Sequence, residues 1–229
     1  MTTDIARYLD HAILKPEMNE DDVRAEIKLG LQYGVRTVCI KPCDISLAIE
    51  LCRGTTTDVC TVVGFPHGTA GSAAKLAEAE SYLSLGVAEV DMVANYGWMR
   101  SGKWDAVQDE IVRIAQACHK KKVLLKVIFE TAQLDEAQIK KAVEVCIAAK
   151  ADFVKTSTGF YGDGANERVV AVMLAAAAGR VKVKASGGIR NRDAAERFIA
   201  MGVARLGVGS SSTPAICGPA GTGAEGKGY

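Results

Sequence analysis

The chain has 229 residues, 48% of them hydrophobic and 24% charged, a balance that excludes a disordered or fibrous protein. Its 28 basic and 27 acidic side chains leave a formal charge of +1, so no global field draws it to nucleic acid or an anionic membrane, and any anion must be bound locally. No apolar run reaches the roughly 18 residues needed to span a bilayer, and the N-terminal "MTTDIARYLD" lacks a signal-type apolar segment, so a cytoplasmic location is expected.

In chain order, short β-branched runs alternate with helical patterns, the signature of strand–helix units around a parallel sheet. A short N-terminal helix precedes the first predicted strand, "YLDHAIL" (8–14). Next come "VRTVCI" (35–40), "VCTVVGF" (59–65) and "AEVDMVA" (88–94), with Ser72 expected to cap a helix that closes at Gly86. The remaining strands are "VLLKVIF" (123–129), "DFVKTS" (152–157), "VKVKAS" (181–186) and "ARLGVG" (204–209). Between them, "DEAQIKKAVEVCIAAK" begins with acids and ends on lysine, as the helix dipole favours, and "NRDAAERFIAMG" opens on Asn191 and stops at Gly202.

Eight such units in this length predict a closed (β/α)8 barrel in one domain, residues 1–217. The first run mixes polar residues into its pattern, so an open, doubly wound sheet of seven strands is the alternative. The Gly-rich "GPAGTGAEGKGY" (218–229) reads as a flexible C-terminal tail. Seven dispersed cysteines, at positions 39, 43, 52, 60, 118, 146 and 217, read as reduced core thiols. Cys39 and Cys43 have no second pair and no nearby histidine, so no metal site is expected.

Four charges interrupt apolar strands near their C-terminal halves: Asp91, Lys126, Lys155 and Lys184. Pointing inward, they would bring three ammoniums and a carboxylate to the top of one barrel, where this architecture carries its chemistry. The bland alternative is that each lysine snorkels outward between helices; Lys182, early in its strand, reads as such a case or as a residue of the closed end. Lys155 in "FVKTSTGF" and Lys184 in "VKVKASGGI" share the pattern K-x-S-x-G. Two ammoniums about 6 Å apart, at an effective dielectric of about 20, repel by about 3 kcal/mol. That would push one toward the free amine, the nucleophile of Schiff-base chemistry with a carbonyl substrate. Spacing alone leaves open which lysine carries the imine. The glycine loops "SGGI" (186–189) and "GVGSSS" (207–212) follow the last two strands, where such barrels often bind phosphate through backbone N–H groups.

Together "DHAILKP", "VCTVVGFPHG", "EVDMVANYG", "LLKVIFET", "DFVKTSTGF" and "VKASGGIR" resemble, in order from residue 10 to 190, the signatures of the deoxyribose-phosphate aldolase family. The resemblance implies a class I aldolase on a TIM barrel, needing neither metal nor cofactor, that interconverts 2-deoxy-D-ribose 5-phosphate with D-glyceraldehyde 3-phosphate and acetaldehyde in deoxyribonucleoside catabolism. It further implies a homodimer or homotetramer. By the same resemblance Lys155 is the Schiff-base lysine, Lys184 the neighbour that perturbs its pKa and relays protons, and Asp91 the acid/base residue. Gly159, Gly187, Gly188, Gly209 and Ser210 surround the phosphate, Asp10 and Lys126 match polar positions of the site, and Tyr229 ends a tail that assists proton transfer. Ala12, Lys41, His67, Gly209 and the loop "YGDGAN" (161–166) depart from the family pattern. Two other readings use the same residues: a different Schiff-base aldolase or transaldolase, and a non-catalytic sugar-phosphate-binding barrel, which would not need both lysines.

Overall fold

The computed structural model describes residues 4–218. Tyr229 and the rest of the Gly-rich segment from residue 219 onward lie outside the described residues. Eight parallel strands close into a barrel in sequence order: β1 (Leu9–Ile13), β2 (Thr37–Ile40), β3 (Asp58–Val63), β4 (Glu89–Val93), β5 (Leu124–Ile128), β6 (Phe153–Lys155), β7 (Lys182–Ser186) and β8 (Arg205–Gly209). All eight predicted strands are therefore present. The first, with its polar residues, makes the closure: Asp10 stands opposite Thr37 of β2 on one side and Gly207 of β8 on the other. This pairing excludes the open-sheet alternative.

The predicted N-terminal helix is a single 3-10 turn, Ile5–Tyr8, whose Ala6 N–H donates to the Asp4 side chain. Helices α1 (Glu20–Tyr33), α2 (Ile45–Cys52), α3 (Ser72–Ser84), α4 (Tyr96–Arg100), α5 (Trp104–Lys120), α6 (Glu136–Ala148), α7 (Glu167–Ala177) and α8 (Arg192–Met201) fill the crossovers, and α9 (Thr213–Cys217) follows β8. Side-chain oxygens of Asn19, Asp135, Asn166 and Asn191 accept from backbone N–H groups that the first helical turn leaves free. Gly202 ends α8 in the left-handed conformation, as expected. Ser72 does not cap α3. Gly71 takes the extended cap conformation, and Ser72 becomes the first helical residue. Its hydroxyl donates instead to Glu110 Oε2 at 3.0 Å, completing the surroundings of a buried Lys75–Glu110 ion pair. No helix among the described residues is long and apolar enough to cross a membrane.

Alternation along the strands divides the molecule into two environments. One set of side chains, including Leu9, Val38, Met92, Val127 and Leu206, joins the large apolar layer beneath the helices. The other set points into the barrel. On β1–β3 it is apolar and small at Ala12, Cys39, Cys60 and Val62, which form a separate cluster, while Asp10 of β1 belongs with the charges. On the β4–β8 side it is charged, where such barrels usually hold branched aliphatic residues.

Candidate active site

Asp91, in the middle of β4, is the hub of the charged interior. Its Oδ2 accepts from Lys155 Nζ and Lys184 Nζ, both at 2.7 Å, and its Oδ1 accepts from Lys126 Nζ at 2.8 Å and from the Cys60 thiol at 3.3 Å. Asp10 accepts from Lys184, from Arg205 and, at 2.7 Å, from Thr37 Oγ1. Below them Arg205 forks onto Glu89, Nη1 at 2.9 Å and Nη2 at 3.1 Å, and Lys126 reaches the same carboxylate at 2.5 Å. Phe153 forms the floor, with Lys182 Nζ and the Arg205 guanidinium each 5.4 Å from its ring centroid. Lys182 is exposed at the start of β7, consistent with its expected place at the closed end.

The three ammoniums and the carboxylate predicted to converge do so, but the expected face-to-face repulsion of Lys155 and Lys184 needs correction. A shared carboxylate stands between them. Burial would push Asp91 up, yet the ammoniums of Lys126, Lys155 and Lys184 outweigh it and hold the carboxyl well below the usual range. Asp10 is likewise held low, against its burial, by Lys126, Lys184 and Arg205. Burial opposes the charges of Lys184 and Lys126, but Asp10 and Asp91 hold both ammoniums above the ordinary lysine value.

At the strand ends this network gives way to a tied-down loop. Lys155 closes β6, and "TSTG" (156–159) follows it, pinned at three points. Thr156 Oγ1 donates to Ser186 O at 2.9 Å and accepts from Ser186 N at 3.0 Å; Thr131 and Ser157 hydroxyls lie 3.3 Å apart; Thr158 donates to Glu130 through N–H and hydroxyl. Glu130 is fully buried and left-handed (φ 56°), and burial raises its carboxyl above the ordinary value although the Thr158 hydrogen bonds oppose this.

Beside this loop lies a cavity of about 280 Å³. Gly159, Gly187, Gly188 and Gly209, the glycines expected around a phosphate, line it together with Gly164, Arg190 and Ser212. Ser210 is buried and not on the lining; Ser212 stands there instead, its hydroxyl buried and without a hydrogen-bond partner among the described residues. Bare backbone is required here. A Cβ on Gly164 would lie 2.3 Å from the carbonyl of Gly187, and one on Gly207 2.4 Å from Ser186 Oγ and 3.0 Å from Lys184 Cε. Bare glycine backbone and the Ser212 hydroxyl around such a space suit a phosphate.

The departures sit around the rim. Lys41 donates to Lys15 O and Met18 O, tying down the loop after β1, and lines a second, more apolar cavity of about 270 Å³ with Leu14, Phe65 and Phe160. Ala12 faces the interior cluster and His67 is exposed. In the 161–166 loop Asn166 caps α7 and Gly164 lies over Gly187. Sequence reasoning missed Glu89, Arg205, Glu130 and Ser212. Glu89 and Arg205 open their strands and Glu130 follows one, where a charge reads as a solvated turn.

Residues 5–212 match the DeoC/LacD family of aldolases. A deoxyribose-phosphate aldolase of Desulfitobacterium hafniense is 42% identical over 209 residues, which cover 91% of this chain and 96% of that protein. The solved structure of QR15, an aldolase, superposes with a TM-score of 0.88 at 38% identity, covering 94% of this chain and 95% of the other. A tetrameric deoxyribose phosphate aldolase from Aeropyrum pernix superposes with a TM-score of 0.85 at 31% identity, covering 93% and 89%. With the match running from before β1 to past β8, the chain belongs to the DeoC/LacD family of aldolases.

Proposed function

We propose that this aldolase reversibly cleaves 2-deoxy-D-ribose 5-phosphate to D-glyceraldehyde 3-phosphate and acetaldehyde through a Schiff base on Lys155. One observation carries the assignment: the three buried lysines have unequal shares of carboxylate. Among the described residues, Lys126 is ion-paired with Asp10, Glu89 and Asp91, Lys184 with Asp10 and Asp91, and Lys155 with Asp91 alone. An ammonium forfeits its ion pairs on becoming an amine, so Lys155 gives up the fewest. It also ends its strand and is the most exposed of the three, at 3% against 1% for Lys184 and 0% for Lys126.

The Lys155 amine adds to the aldehyde carbon of the open-chain sugar, and loss of water leaves a protonated imine. Deprotonation of the C3 hydroxyl then drives the C2–C3 electrons into the imine, releasing glyceraldehyde 3-phosphate and leaving an enamine. Protonation at C2 and hydrolysis return acetaldehyde and the free lysine. Asp91 and Lys184 lie in one hydrogen-bonded chain with Lys155, Asp91 Oδ2 accepting from both ammoniums at 2.7 Å. Their part is to orient Lys155 and pass a proton along the Lys155–Asp91–Lys184 chain without retaining it. The glycine cavity takes the phosphate, with Ser212 supplying a hydroxyl that has no partner among the described residues. A cytoplasmic role in deoxyribonucleoside breakdown, as a homodimer or homotetramer, belongs to the same proposal.

Borohydride reduction in the presence of acetaldehyde, followed by peptide mass analysis, tests it. An ethyl adduct on Lys155 is expected. Labelling confined to Lys184, or no labelling, would overturn the assignment, and failure to release acetaldehyde from deoxyribose phosphate would overturn the substrate.

A further inference from the structure

Cys39 and Cys60 are the interior residues of β2 and β3 at one level, and they are direct register partners on these adjacent strands. Neighbouring strands run about 4.8 Å apart, inside the roughly 4.4–6.8 Å window of Cα separations that a disulfide spans. The two sulfurs and an Asp91 carboxylate oxygen all lie within 4.8 Å of one another. Cys60 is also tied to the charged network: its thiol donates to Asp91 Oδ1 at 3.3 Å and its sulfur accepts from Lys126 Nζ at 3.4 Å. Nothing in the proposed aldol chemistry uses either thiol.

We propose that this dithiol is an oxidation site: hydrogen peroxide links Cys39 to Cys60 and, by withdrawing Cys60 from Asp91 and Lys126, reversibly suppresses the lysine chemistry. The Cys39 thiolate attacks one peroxide oxygen; the O–O bond breaks, hydroxide leaves and takes up a proton as water, and Cys39 becomes a sulfenic acid. The Cys60 sulfur then attacks the Cys39 sulfur, its proton leaves with the departing hydroxyl as a second water, and the S–S bond forms. Two thiols are oxidised by two electrons and one peroxide is reduced to two waters. The local electrostatics favour this order. The neighbouring Cys60 thiol holds the Cys39 thiol below its ordinary value, with Lys184 and Lys155 adding to this against burial and the Asp91 charge, whereas burial holds Cys60 well above its ordinary value. Both sulfurs are buried, but peroxide is close to water in size, and the aldehyde of the proposed reaction must reach the neighbouring Lys155, itself only 3% exposed. A disulfide between adjacent strands is constrained, and constrained disulfides are the readily reduced ones.

The test treats the full chain with hydrogen peroxide, blocks remaining thiols, digests it without reductant and maps linked peptides. A Cys39–Cys60 peptide is expected, with aldol activity lowered roughly tenfold, the equivalent of one hydrogen bond to a charged group, and restored by dithiothreitol. In Cys60→Ser, peroxide is expected to leave Cys39 singly oxidised, with no link and, beyond the sulfenic stage, no recovery. Both residues recovered as free thiols, a link through the exposed Cys43 instead, or full activity in the linked protein would overturn the proposal. The activity measurement rests on the proposed function and the peptide map does not, so an unoxidised chain without aldol activity counts against that function while the link is still decided by mass. Because the map uses the unsubstituted protein, the site stays testable if Cys60→Ser fails to fold.

Discussion

Lys126, Lys155 and Lys184 carry one functional group and share one carboxylate, so what separates them is their remaining partners. Lys126 is enclosed by three carboxylates over an aromatic floor and serves as a fixed countercharge. Lys184 is bound on both sides and kept charged, while Lys155 has one ion pair among the described residues and ends its strand. Replacing Lys184 with methionine leaves Asp91 paired with Lys126 and Lys155 and leaves Asp10 paired with Arg205. Lys155 should therefore still be trapped by borohydride with acetaldehyde. Turnover should fall roughly a hundredfold, a typical loss when a positioned proton-transfer group is removed. Equal loss of trapping and turnover would mean that Lys184 forms the imine or that the site has collapsed. The sequence alone narrowed the chemistry to these lysines because each interrupts an apolar run. It could not rank them, because the ranking depends on which carboxylates the closed barrel brings within reach.

The elements were legible where pattern and end signals agreed. Asn191 and Gly202 bound α8 because an Asn side chain can accept from the first turn and glycine can turn left-handed at the end. Ser72 failed as a cap because its hydroxyl meets Glu110, a partner 38 residues away that no local pattern contains. The loop after β6 is the same kind of case: it is anchored by Ser186 and Glu130 and laid over Gly187 by hydrogen bonds from Ala165 N to Ser186 O and Gly187 O, at 3.0 and 3.1 Å. This crossing makes Gly164 a sensitive position. A methyl group there collides with the Gly187 backbone, so Gly164→Ala must lift the loop from the cavity. The KM for the phosphorylated sugar should rise roughly tenfold or more, as expected for misplacing a binding element by a fraction of an ångström. Trapping of acetaldehyde on Lys155, which does not use the cavity, should be unchanged. An unaltered KM would remove the cavity from the phosphate site.

Across the whole barrel, seven buried charges replace much of the usual aliphatic filling: Asp10, Glu89 and Asp91 against Lys126, Lys155, Lys184 and Arg205. Such a set is costly to desolvate and holds together only while every member is paired. Asp10 and Asp91 have their folded values pushed far below the ordinary 3.8, so their stabilisation is complete above that pH and is lost as pH falls below it. Length and alternation made the closed barrel legible, but its lower charge layer was not, because Glu89 and Arg205 stand at strand starts and become partners only when β4 and β8 face each other across the interior. At neutral pH this layer can be tested by a double-mutant cycle. Arg205→Met leaves Glu89 and Asp10 short of a buried partner and should lower the unfolding free energy by about 3–5 kcal/mol. Glu89→Leu strips Arg205 of its fork and should cost a similar amount. If the layer stabilises as a unit, the double variant costs less than the sum of the singles by at least about 1 kcal/mol, measured by urea unfolding. Additive losses would mean that Arg205 and Glu89 are held independently, each by its other contacts in the barrel.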